Sequence, residues 1–431
     1  MDDQLNPISQ KYNFTIFFLF LLVTLANYYI YVGFAIKPYM IFLILFLLLN
    51  IGSFYFQRLQ LLEVAMLLFY LMYSFTGAFA LYPASSIRII CGIFLYISCY
   101  FIMKSVIGNA KDSVIERAIS DVGIFFNIAS ITLYFIGLQS LGFAFEGDRI
   151  YKLGVMLDRD YPRLIGLLQD PNFFVLYNTI FFSYYLCNSK SWKNKFGLIL
   201  CLLSNILTFS RGGLLVIGFI LVMYILIKNP VKQLKLLLGI VASSFAAFYI
   251  GTVYMKFDIY GILQSRIEDF SQDGGSGRIE LWGRAWDYFT SHIFLGIGAF
   301  NFADYNLFQY GDNLEVHNTF LDILSESGLL GMTFFLFFII MVFVQLIQSK
   351  THKNKPYLLL TFMGMILQMG FLSVIINDMF FMYLAILTTY LNNEKKQAGS
   401  ITSLISIKQK MKLKVTYKGS EATNEYSSHN G

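Results

Sequence analysis

The chain has 431 residues, 57% of them hydrophobic and only 13% charged, with a formal net charge of +6. A soluble protein would carry about 25% charged residues, and here the apolar residues fall in long runs instead of the short stripes of a soluble core. A soluble enzyme is excluded. The composition predicts an all-α, polytopic helical membrane protein, because a bilayer core of about 30 Å takes roughly 20 apolar helical residues to cross.

In chain order, MDDQLNPISQKYN leads into the apolar run Phe14–Tyr29 with no small-residue cleavage site behind it, so a retained first span is expected. Twelve spans are expected, at 14–34, 39–56, 61–82, 89–107, 119–141, 172–188, 196–210, 212–227, 236–255, 329–347, 357–377 and 378–391. Cytoplasmic segments of membrane proteins are rich in Lys and Arg. With the N-terminus inside, 21 of the 32 basic residues fall on that side, which predicts both termini cytoplasmic. The resulting units are helices one to nine in 1–255, with an outer segment at 143–171; an external loop at 256–328; helices ten to twelve in 329–391; and a basic, disordered tail at 392–431. Glu63, Lys104 and Asp121 sit near span ends, leaving mid-membrane almost free of ionisable groups. Proton-coupled carriers and ion pumps need charged relays there, so the pattern disfavours them. Cys91, Cys99, Cys187 and Cys201 lie within spans and read as packing residues, without the spacing of a disulfide framework or zinc site.

The outer segments differ in kind from the inner ones. Inside, 19 of 21 basic residues are Lys; outside, 8 of 11 are Arg. A planar guanidinium suits phosphate or carboxylate. Arg163 stands beside the apolar patch Leu164–Leu168, which reads as a re-entrant piece. Asp170-Pro171-Asn172 reads as the cap and first turn of the next span. Arg211 lies in Ser210-Arg211-Gly212-Gly213, 16 residues after Lys195. A helix of that length climbs about 24 Å, which puts Arg211 at or below the outer interface. There it either snorkels to headgroups or serves a site whose two glycines allow close approach of a ligand or partner.

The external loop holds 4 basic and 11 acidic residues, so its arginines are not part of a general basic surface. SQDGGSG at 271–277 lacks the Gly-Lys-Ser/Thr of a P-loop and leads into a helix capped by Ser276. On that helix Arg278, Trp282, Trp286 and Phe289 share a face. Arg278 thus has either an anion or sugar to hold or a tryptophan to stack on. Arg284 follows Glu280 by four and precedes Asp287 by three, which is the spacing of a surface ion pair. GIGAF at 296–300 is a turn. His317 precedes an amphipathic stretch, Asn318–Ser327, ended by Gly328. It can act as a general base, with an unperturbed pKa near 6.5, or as a hydrogen-bonded structural residue.

RLIGLLQDPN (163–172), TFSRGG (208–213), GRIELWGRAWDYF (277–289), GIGAF (296–300) and HNTFLDILSESGLLG (317–331) occur in an order that resembles the O-antigen ligase and polysaccharide repeat-unit polymerase (Wzy-type) family over about residues 160–335. The resemblance implies an enzyme at the outer face of the bacterial inner membrane. Its donor would be an undecaprenyl-diphosphate-linked oligosaccharide, and its chemistry a metal-independent glycosyl transfer without a cofactor. Carried over by motif, Arg211 and Arg278 would clamp the diphosphate with Arg163 assisting, and His317 would activate or orient the acceptor hydroxyl. Arg284, Trp282 and Asn318 would take secondary places. The expected function is a polymerase that joins repeat units onto a growing surface polysaccharide. The near alternative is a ligase moving glycan to lipid A-core or protein; a lipid-linked glycan transporter is more distant. Expected partners are the lipid-linked donor, an acceptor glycan, membrane lipids and, for a polymerase, a chain-length regulator, with no nucleic acid and no metal.

Overall fold

The computed structural model describes residues 7–145, 147, 149–158, 161–227 and 277–395, with isolated positions between 238 and 253. Most of the expected ninth span, the 271–276 lead-in with Ser276, Arg159, Arg266 and the tail from 396 lie outside the described residues.

The described chain is a helical bundle. Helices α1 (Pro7–Thr24), α2 (Pro38–Leu49), α3 (Leu61–Thr76), α4 (Pro83–Gly108) and α5 (Asp112–Ser140) come first. Then follow α6 (Pro171–Cys187), α7 (Trp192–Leu207) and α8 (Arg211–Ile227). After the gap come α9 (Arg278–Ser291), α10 (Phe302–Tyr310), α11 (Thr319–Gln348), α12 (Thr351–Asn354), α13 (Pro356–Met369) and α14 (378–395). Pro opens α2, α4, α6 and α13, where its missing N–H is one the first turn could not use. The segments Leu61–Phe79, Pro83–Gly108, Asp112–Ser140 and Thr319–Gln348 are long and apolar enough to cross a membrane. Shorter apolar helices run over Phe14–Thr24, Pro38–Leu49, Arg211–Ile227 and Pro356–Met369.

Two helices lie at the centre. In α6 residues 174–186 are all buried, and in α14 so are residues 379–391, so each is covered all round. Helix α6 packs on α7 and α13, α3 on α11, and α1 on α5. A separate small core of Leu281, Ala285, Tyr288, Ile297, Phe302 and Val316 joins α9 and α10 to the segment before α11. Two lysines pair with buried carboxylates. Lys104 Nζ lies 2.6 Å from Glu63 and also donates to the Arg58 carbonyl; Lys37 Nζ lies 2.6 Å from Asp378. Removing one member of such a pair would leave a buried charge uncompensated, which is far costlier than losing a surface pair.

The structure corrects two expectations. The first two spans, read as 14–34 and 39–56, end at Thr24 and Leu49. The apolar, aromatic stretch that prolonged the first is instead a hairpin, β1 (Ile30–Tyr31) with β2 (Ala35–Ile36), turning at Gly33 with φ +93°. The chain is also not purely α-helical between α5 and α6. Strands β3 (Ile150–Lys152), β4 (Val155–Asp158) and β5 (Tyr161–Leu164) form an antiparallel sheet in that order. The apolar run after Arg163, read as a re-entrant piece, is covered by protein, as such a piece requires. Residues 161–168 are buried under protein, and Pro162 is tolerated because β5 is an edge strand. Hydropathy alone does not distinguish burial under a sheet from burial in lipid.

Candidate active site

The site begins with two helices that start side by side. Asp170 caps α6, its Oδ1 accepting the backbone N–H groups of Asn172 (2.7 Å) and Phe173 (3.0 Å). Asn172 Oδ1 accepts the Ser210 hydroxyl at 2.6 Å, and Ser210 Oγ accepts the Gly213 N–H at 3.0 Å. Ser210 thus ties the start of α8, whose first residue is Arg211, to the start of α6. Helix α7 before it has 16 residues, a climb of about 24 Å. A side chain at Gly213 would put its Cβ 2.6 Å from Val175 Cγ2. The close approach served by that glycine is helix against helix.

Arg163 is carried in by β5, opposite Met156 on β4. Its Nε donates to the Thr208 carbonyl at 3.0 Å and its Nη1 to Asp158 Oδ2 at 2.6 Å, with 8% of the residue exposed. The same guanidinium therefore pins the sheet to the turn that delivers Arg211. Arg278 is the first residue of α9, behind Gly277 at φ +71°, which replaces the expected serine as the cap position. Burial pushes the Arg278 pKa down; Asp170 opposes that, while Arg163 and Arg211 push the same way as burial. His317 is also held below its ordinary value, first by burial and then by Arg278, with Asp170 opposing. Arg163, Arg211, Arg278, His317 and Asp170 thus share one electrostatic neighbourhood, which four sequence segments far apart in the chain assemble.

His317 sits on a stitched backbone. It adopts the left-handed conformation at φ +54°, and its N–H donates to Ser373 Oγ at 3.0 Å. Two residues on, the Thr319 N–H and hydroxyl both donate to the Leu372 carbonyl (2.9 and 2.6 Å), and Thr319 Oγ1 accepts the Val374 N–H. Asn318 caps α11 by accepting the N–H groups of Phe320 and Leu321. Trp282 Nε1 donates to the Val316 carbonyl at 3.2 Å, so α9 braces the residue before the histidine. Trp282 and Asn318 act here as supports for the segment that carries His317. Gly328, at φ +60° and ψ −158°, kinks α11 where the sequence reading ended its amphipathic stretch. The GIGAF turn clasps this kinked region: Ile297 and Gly298 N–H groups donate to the Ser325 and Glu326 carbonyls.

Arg284 goes elsewhere. It pairs with Glu280 (2.6 Å) and Asp312 (2.8 Å) and lies over the Tyr310 ring at 3.9 Å, so Asp312 takes the place expected for Asp287. The face of α9 shared by Trp282, Trp286 and Phe289 is not its buried face. Leu281, Ala285 and Tyr288 are buried, while Trp286 is exposed and packs on Phe289.

Sequence reasoning missed Asp378. It accepts from Lys37 (2.6 Å), Tyr39 (2.8 Å) and Tyr177 (2.9 Å). With Lys37, Tyr96, Gln169, Asp170 and Tyr177 it lines a cavity of about 360 Å³. The signal was present in Asn377-Asp378, where Asn377 Oδ1 caps α14 through the Met379 and Phe380 N–H groups. The lysine that complements it, Lys37, lies 341 residues away in sequence, so nothing local announces the pair.

The assembly brings Arg163 and Arg211 to Arg278, and Arg278 to one neutral-leaning imidazole. Clustered arginines suit a polyanion, and the partial positive charge at the starts of α8 and α9 adds to them. Among the described residues no group of three or more His, Cys, Asp or Glu is placed to hold a metal ion. No match was found among curated proteins. Residues 196–336 match a family model described as O-Antigen ligase, and that stretch contains Arg211, Arg278 and His317 while leaving Arg163 and Asp170 outside. Its long apolar helices are those of a multi-pass membrane protein, and residues 196–336, about a third of the chain, are similar to the O-antigen ligase and polymerase family.

Proposed function

We propose that the protein is a glycosyltransferase that polymerises lipid-linked oligosaccharide repeat units at the outer face of the bacterial inner membrane. On this reading the chain crosses the membrane twelve times with both termini cytoplasmic. The single observation that carries the reading is the meeting of Arg163, Arg211 and Asp170 at Arg278, which in turn helps burial hold the His317 pKa down. A diphosphate leaving group gains charge as its bond to the sugar breaks, and preorganised cations stabilise that charge most in a site shielded from water. The acceptor hydroxyl forms the new bond to the anomeric carbon. The old bond between that carbon and the diphosphate oxygen breaks, its electron pair leaving with the polyprenyl diphosphate. The hydroxyl proton passes to His317, which the low pKa keeps unprotonated and ready to accept it. The cleaved sugar–diphosphate bond supplies the driving force. The cavity beside Asp170 and Asp378, about 360 Å³, falls in the size range of small-ligand sites and gives the donor's first sugar a seat.

A second reading, transfer of finished glycan onto lipid A-core, is favoured by the description of the matching family model. The test is reconstitution in vesicles with lipid-linked repeat units, with and without lipid A-core. The polymerase reading expects a ladder of lipid-linked products from the protein alone, lost in Arg211→Ala, Arg278→Ala and His317→Ala. Product appearing only on lipid A-core would establish the ligase. Movement of donor across the bilayer without any new glycosidic bond would make the protein a transporter and end both readings.

A further inference from the structure

Ser373 does two things. Its Oγ accepts the His317 N–H, and it lines a second cavity of about 120 Å³. The other lining groups include Phe300, Phe302, Glu315, Asp322 and Glu326. Asp322 and Glu326 lie one helical turn apart in the first segment of α11 and are 5% and 3% exposed. Glu326 is fully engaged: Tyr73 Oη donates to Oε2 at 2.5 Å and the Phe302 N–H to Oε1 at 3.1 Å. Asp322 is different, because its buried Oδ2 has no hydrogen-bond partner. The charged groups acting on Asp322 are Glu326 and Glu315, both acidic, and the Ser373 hydroxyl is the group beside it that favours its charged form. Glu315 stays accessible along the cavity, yet the protein crowding around it pushes its carboxyl above the ordinary range.

An unpaired buried acceptor costs about 1–3 kcal/mol, so the cavity favours an occupant that donates. The carboxylates are not grouped as a metal-binding set among the described residues. No cation among the described residues lines the cavity to hold a phosphate. Separate carboxylate acceptors beside two aromatic rings match a sugar, whose hydroxyls donate from spaced positions while its C–H face lies on the rings. The size is well under the roughly 300 Å³ of a drug-sized site and suits the edge of one sugar ring.

We infer that this cavity seats the hydroxyl-bearing terminal sugar of the acceptor glycan, with Asp322 Oδ2 taking a sugar O–H and Ser373 linking the seat to the backbone of His317. The inference rests on the transferase reading above and names its acceptor subsite. Asp322 is on this account a binding and positioning residue.

The test reads binding without turnover. The full-length protein in nanodiscs is probed by saturation-transfer NMR with the methyl glycosides of glucose, galactose, mannose and N-acetylglucosamine. The expected result is transfer to at least one glycoside, reduced at least fivefold in Asp322→Asn and in the cavity-filling Ala303→Leu, and retained in Arg211→Ala. Three results would overturn the inference: no transfer to any glycoside, transfer that survives both cavity variants, or transfer lost equally in Arg211→Ala, which would put the sugar in the arginine corner. No donor is present, so a wild-type protein that forms no glycosidic bond to any acceptor but binds glycosides here would sink the transferase reading alone.

Discussion

The arginine corner and the acidic cavity are built from opposite charges by opposite means. Arg163, Arg211 and Arg278 arrive on a strand and at the first positions of two helices, where the helix ends add positive character of their own. Glu315, Asp322 and Glu326 come from one short stretch of chain, and burial gathers them around a small void. The arginines repel one another, which costs stability unless an anion neutralises them, while the acidic cavity holds a buried acceptor that a hydroxyl would satisfy. The two meet at one seam, where Ser373 holds the His317 backbone. The difference between them teaches how one site can separate an anionic donor from a hydroxyl-bearing acceptor and leave the imidazole between the two.

The sharpest way to break this comparison is to remove one arginine. Arg278→Ala or Arg211→Ala is expected to lower turnover on the order of 10²–10³-fold, the scale of losing one preorganised charge-stabilising donor. The apparent affinity for acceptor should stay near wild type, and steady-state assays with each substrate varied in turn would show whether it does. His317→Gln comes next. Loss of a general base costs typically 10²–10⁴-fold, and the residual rate should lose its acid limb.

A smaller effect is expected from Asp170→Asn. Asparagine caps a helix as well as aspartate does, so α6 should persist, while the negative charge that raises the His317 pKa disappears. The sign follows directly. His317 already sits below its ordinary value of about 6.5, so it is neutral at pH 7 and gains its proton only as pH falls below that value. Without Asp170 it protonates at still lower pH, and the acid limb of the rate profile should move down. An upward movement would remove Asp170 from the account. Smallest is Arg284→Gln. Its partners lie outside the corner, so turnover should change by no more than a few-fold. A modest loss of thermal stability is expected, because ion pairs near a surface contribute little.

How much of this was legible in the chain varies by segment. The helical membrane class followed from apolar runs that no soluble core would carry. Arg211, Arg278 and His317 stood out because each breaks a local rule: an arginine after a short span, an arginine without a helix partner, a histidine before a capped helix. Arg284 was readable as an ion pair since Glu280 is four residues away, though Asp312 was not. The sheet between α5 and α6 was hidden because Tyr161–Leu168 is apolar for the same reason a membrane segment is, namely exclusion from water. Asp378 and its lysine were hidden by sequence distance, and the acidic cavity by the fact that Glu315, Asp322 and Glu326 looked like ordinary solvated loop charge until the fold buried two of them.

The central claim is that the arginine corner holds the donor's diphosphate, and the most direct measurement is binding of undecaprenyl diphosphate to the purified protein in nanodiscs. The account predicts saturable binding that weakens at least tenfold in Arg278→Ala and in Arg211→Ala, is unaffected by Asp322→Asn, and falls with added inorganic diphosphate. Binding that is equally strong in both arginine variants would contradict it.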